Sequence, residues 1–82
     1  MTERRWARAA VPWRASLGAV VVATDADERV LEGPGAVVWD ALDRPSTDEE
    51  IFARAAERFG IDRAQSAAGL AALVEARLCR PA

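Results

Sequence analysis

The chain has 82 residues, 51% of them hydrophobic and 29% charged, with a formal net charge of −2. A chain of this length folds as one small domain that buries about 60–65% of its unfolded surface, and its composition lies well outside that of disordered chains. No apolar run approaches the roughly 20 residues that cross a bilayer, and Arg8, Pro12 and Arg14 interrupt any secretory core, so the sequence predicts a cytoplasmic protein with no membrane partner.

Residues 1–18 carry Arg4, Arg5, Arg8 and Arg14 against Glu3, and residues 1–10 read as a loosely ordered basic arm. All basic residues are Arg and none is Lys, a bias that suggests a GC-rich bacterial genome. From Val11 to Leu17, apolar Val11, Trp13, Ala15 and Leu17 alternate with Pro12, Arg14 and Ser16, the period of a half-buried strand. Pro12 has no amide hydrogen for a ladder, which places this strand at an edge. Gly18 turns the chain into Ala19-Val20-Val21-Val22-Ala23, whose unbroken β-branched run predicts a central strand covered on both faces. After the polar turn 24–28, Arg29-Val30-Leu31-Glu32 returns as a third strand, closing a small antiparallel meander.

Three helices follow. Pro34 suits a first helical turn, and Val38, Trp39 and Leu42 share one face of a helix ending near Leu42. Arg44-Pro45 breaks it. Ser46 with Glu49 reads as a capping box for the second helix, Asp48, Glu49 and Glu50 favour its positive end, and Gly60 supplies a left-handed stop. Its buried stripe is Ile51, Phe52, Ala55, Ala56 and Phe59. Asp62 with Gln65 caps a third helix of roughly four turns carrying Leu70, Leu73, Val74 and Leu78. The fold class is therefore α+β: a three-stranded antiparallel sheet followed by a winged-helix-like three-helix bundle, in a single domain, 1–82.

The chemistry is that of a binding module. There is no His or Tyr, and the lone Cys79, beside a charged and frayed C-terminus, lacks a base and a disulfide partner. The carboxylate clusters Asp25, Asp27, Glu28 and Asp48, Glu49, Glu50 have structural roles in a turn and a helix start, so neither catalysis, a metal nor a cofactor is predicted. Gly33 and Gly35 flank Pro34 without the amide-rich pattern of a phosphate loop. The rival is a winged-helix DNA-binding regulator, but nine acids between residues 25 and 50, against Arg29 and Arg44, oppose a phosphate backbone and argue against nucleic acid.

The run Leu31, Ala36, Val38-Trp39, Leu42-Asp43, Thr47, Glu50-Ile51, with Phe59, Leu73 and Leu78, resembles the PqqD-like family of small peptide chaperones, the RiPP recognition elements, over about Trp13 to Leu78. The resemblance implies a non-catalytic chaperone to which the leader segment of a ribosomally made precursor peptide adds as an extra strand on the third strand, packing against the last helix and passing to a separate modifying enzyme. On this chain the implied edge is Arg29, Val30, Leu31 and Glu32. Ala67, Leu70, Ala71 and Val74 would form the apolar floor, with Arg63 and Arg77 meeting acidic leader residues. An unpaired third-strand edge would also accept a second copy, so a homodimer enters the expectations. Arg44, Arg77 and the ending Cys79-Arg80-Pro81-Ala82 depart from the family pattern, which has Gly, Gly and an apolar ending at these places.

Overall fold

A computed structural model describes residues 3–25 and 27–82. Its elements are β1 (Arg5–Arg8), β2 (Trp13–Ser16), β3 (Ala19–Ala23), β4 (Glu28–Leu31), α1 (Pro34–Ala41), β5 (Ser46–Thr47), α2 (Asp48–Phe59), α3 (Arg63–Glu75) and β6 (Cys79–Pro81). The α+β class is as the sequence predicts. The strands, however, form two three-stranded antiparallel sheets, ordered β2-β3-β4 and β5-β1-β6.

The meander is the expected one, with Trp13 opposite Val22 and Val20 opposite Leu31. Only one of its faces is covered: Val20 and Val22 are buried, whereas Ala19, Val21 and Ala23 are half-buried. The prediction of a strand covered on both faces is corrected accordingly. A two-residue turn joins β2 to β3, with Leu17 at φ 49° and Gly18 at φ 80°. Such a turn twists with the strands but needs left-handed backbone twice, and Leu17 adopts it with its side chain fully exposed.

The second sheet was not predicted. The basic segment expected to be a loose arm instead contains β1, the central strand of that sheet, in which Trp6 pairs with Ser46 and Pro81 and is buried. Met1 and Thr2 lie outside the described residues. Likewise the C-terminus does not fray over residues 79–81: β6 pairs with β1, and Cys79 is buried. Burial pushes its thiol up to about 11, with a smaller contribution from nearby Asp48.

The core is Trp39, Leu42, Ile51, Val38, Leu73 and Val22, gathered between the meander and the helices. Trp39 is fully buried, and Trp13 meets it edge-on at 5.9 Å between ring centroids. The helix boundaries follow local chemistry. Pro34 opens α1, and Gly60, at φ 69°, ends α2 in the left-handed conformation. The α2 cap is displaced by one residue from the predicted Ser46/Glu49 box. Thr47 accepts from the Glu50 amide, and the Glu50 carboxylate accepts from the Thr47 amide at 2.8 Å, which holds Glu50 below the usual carboxylate range. Ser46 cannot serve, because it is fully buried in β5 with its hydroxyl donating to the Arg44 carbonyl and accepting from Arg54. On α2 only Ile51 and Ala55 are buried; Phe52 is half-buried, Ala56 exposed, and Phe59 half-exposed.

The Asp62/Gln65 box caps α3 as predicted. The helix stops at Glu75, so Leu78 is not part of it. Arg77, at φ 60°, donates its amide to the Val74 carbonyl, and the Leu78 amide reaches Leu73, a Schellman ending with Arg77 at the position glycine usually holds. Leu78 and Leu73 are buried, which fixes the turn and directs the chain into β6. No helix among the described residues is long and apolar enough to cross a membrane.

Candidate functional site

β4 is an edge strand: β3 pairs with one side of it, and its other side has no strand partner among the described residues. That leaves main-chain donors and acceptors available for another chain. A cavity of about 410 Å³ runs along this edge, bounded by Arg29, Val30, Leu31 and Glu32 on one wall and by α3 on the other, with Pro34 and Gly35 at its end. All four predicted edge residues therefore border one groove.

The helical floor differs from the prediction. α3 presents Ala68, Gly69, Ala72 and Leu73, with its C-cap Ala76, to the groove, while Ala67, Leu70, Ala71 and Val74 line a separate cavity of about 400 Å³ on its other flank, against Trp6 and Phe52. Adjacent helix positions are 100° apart, so a rotation of about one residue exchanges one flank for the other. In the second cavity β1 is hydrogen-bonded on both sides, so no backbone edge is open there. Leu70 is buried and belongs to the core.

Gly69 explains the rotation of α3. A methyl group at that position would overlap the Pro34 carbonyl, approaching its carbon to 2.7 Å and the Val38 Cγ2 to 3.0 Å. Only glycine lets α3 cross α1 this closely, which turns Ala68, Ala72 and Ala76 toward β4. The single glycine of α3 was the available sequence signal for this floor.

Arg63 and Arg77 do not converge on the edge. The Arg63 guanidinium donates to Glu49 at 2.8 Å and lies 4.9 Å from the centroid of the Phe52 ring, fastening α3 to α2. This pairing holds Glu49 below, and Arg63 above, its ordinary value. Arg77 is exposed at the α3 ending. Arg29 lies within the groove wall and makes no ion pair with any described residue, although Arg14 and Glu28 meet at 3.7 Å across the open face of the sheet. Among the described residues no group of three His, Cys, Asp or Glu side chains is placed to hold a metal ion.

The protein-family model for coenzyme PQQ synthesis protein D (PqqD) matches residues 18–78. This span holds β3, β4 and all three helices, and leaves β1, β2 and β6 outside it. No match was found among curated proteins or solved structures.

Proposed function

The chain belongs to the PqqD family, and on that premise we propose that it is a non-catalytic peptide chaperone of the cytoplasm, binding the leader segment of a ribosomally made precursor peptide. The observation that carries the reading is the open β4 edge beside a groove floored by small side chains. An incoming strand satisfies the edge amides and carbonyls with little demand on its sequence, and its alternate side chains enter the groove. A separate enzyme then modifies the bound precursor. The chemistry belongs to that partner, and the chain's own contribution is to hold the substrate extended and raise its local concentration.

The test is fluorescence anisotropy of a labelled leader peptide from a precursor encoded beside this chain, titrated at low and moderate salt. Saturable binding that tolerates salt is expected, because ladder bonds and apolar contacts carry it rather than released counterions. Ala72→Glu, in the groove, abolishes binding; Ala71→Glu, on the other flank of α3, leaves it within about threefold, as for a surface change away from the contact. An absence of leader binding, with duplex DNA bound steeply at low salt instead, overturns the reading in favour of a winged-helix regulator.

A further inference from the structure

The groove also constrains which peptide it takes. In the ladder between β3 and β4, Val22 stands opposite Arg29 and Val20 opposite Leu31, and directly opposed residues share a face of the sheet. Val20 and Val22 are buried against the helices. Arg29 and Leu31 therefore stand on the helix-facing side of the open edge, while Glu28 and Val30 alternate to the other side. A strand added to β4 has two consecutive groove-facing positions, one opposite Leu31 and one opposite Arg29, separated by one residue whose side chain faces solvent.

The two positions differ in chemistry. Leu31 is half-buried, and beyond it the groove is walled by Leu73 and floored by Ala68 and Ala72, which carry no more than a methyl group. The cavity of about 410 Å³ thus leaves open the volume that bulkier helix residues would fill. The alanines recur every four residues, about 6 Å along the helix, close to the ~6.6 Å between alternate residues of a strand. Arg29, two residues from Leu31, has no ion-pair partner among the described residues.

We propose that the β4 groove selects an extended peptide carrying a bulky apolar side chain opposite Leu31 and a carboxylate two residues away, opposite Arg29. Ala68 and Ala72 set the size of the first residue, and Arg29 sets the charge of the second. Opposite charges directly across an antiparallel pair attract, and a large side chain on a floor of alanines gains contact that a small one forgoes. This inference rests on the peptide-binding reading and adds to it a rule of selection belonging to this chain's own residues.

The experiment is selection of displayed random peptides of about ten residues, enough to span the edge at ~3.3 Å per residue, on the purified protein and three variants. Wild-type protein is expected to enrich peptides with Asp or Glu two residues from Leu, Ile, Met or Phe. Arg29→Glu shifts the charged position to Lys or Arg. Ala72→Leu shifts the apolar position to Ala, Ser or Gly and weakens binding of the wild-type winners by about tenfold, as for one lost side-chain pocket. Ala71→Leu, on the opposite flank, leaves the enriched pattern unchanged. Peptides enriched without this pair, or a pattern indifferent to Arg29→Glu and Ala72→Leu, overturn the selection rule while leaving peptide binding intact. Failure of wild-type protein to enrich any peptide overturns the peptide-binding reading and the rule together.

Discussion

Arg8 is the residue whose replacement most directly tests the fold. Its guanidinium donates twice to the Trp39 carbonyl, at 2.9 and 2.7 Å, and once to the Asp40 carbonyl at 3.4 Å, so it closes the C-terminal end of α1. It also stacks between aromatic rings, 4.7 Å from the Trp13 centroid and 5.2 Å from that of Trp39. Burial lowers its pKa, opposed by the charges of Asp40 and Asp43. Charge-assisted hydrogen bonds contribute about 1.5–3 kcal/mol, each cation–π contact about 0.5–2, and a cation at a helix C-terminus about 0.3–1. These overlap on one group and do not add. The loss expected for Arg8→Ala is about 2–4 kcal/mol, a large part of the roughly 4–12 kcal/mol of a domain this size.

The assay is urea unfolding followed by tryptophan fluorescence, which reads Trp13 and Trp39 where the loss occurs. The midpoint falls with the slope unchanged, and the thermal transition drops by about 8–32 °C at ~4–8 °C per kcal/mol. Arg8→Lys keeps the charge but not the planar fork and recovers less than half of the loss. A change below about 0.5 kcal/mol, the range of ordinary surface substitutions, would refute the docking of β1 and return the N-terminal segment to a loose arm.

Gly69→Ala overlaps the Pro34 carbonyl and costs about 1–3 kcal/mol, whereas Gly35→Ala, with open space around its Cβ, stabilises by about 0.4–1 kcal/mol; chemical denaturation orders the two. Thr47→Ala removes the α2 cap and costs about 1 kcal/mol, measurable as a lower urea midpoint. Cys79 has its folded pKa raised to about 11, so its contribution to stability is complete below the unfolded thiol value near ~8.5 and is lost as pH rises through about 11. The native thiol resists a thiol-specific chromogenic reagent at pH 8 and reacts fully in denaturant; rapid reaction of folded protein would show that β6 is not docked on β1 with Cys79 buried.

Features fixed by neighbours in sequence were legible in it. Pro34, Gly60 and the Asp62/Gln65 box act within one helical turn, and the meander is declared by the alternation before Gly18 and the unbroken valine run after it. Features fixed by distant partners were not. β1 and β6 bring the two ends of the chain together, and each is too short for its alternation to stand out from the arginines around it. The cap of α2 was misplaced because Ser46 and Thr47 are adjacent hydroxyls, and only the burial of Ser46 in β5 decides between them. The edge of the candidate groove was readable from Pro12 and the strand order. The floor was not, because alanines surround α3 on both flanks and its rotation is set by the contact between Gly69 and Pro34.

An open edge is prone to pairing with its own copy, and the charges along Glu28 to Glu32 bear on this. Two copies paired antiparallel about a two-fold axis normal to the sheet oppose residues of equal parity, since the axis carries each face onto itself. Pairing centred on Val30 sets Glu28 against Glu32 of the second copy twice; pairing centred on Arg29 sets that residue against itself. Like charges directly opposed are destabilising, so the longest self-pairings carry a penalty that an unrelated strand avoids. The paired substitutions Glu28→Thr and Glu32→Thr remove the repulsion in the Val30-centred register while leaving the backbone edge in place. Sedimentation velocity then shows concentration-dependent dimers in the double variant at loadings where the parent stays monomeric. A parent that dimerises as strongly as the variant would mean that this edge carries no protection against its own copy.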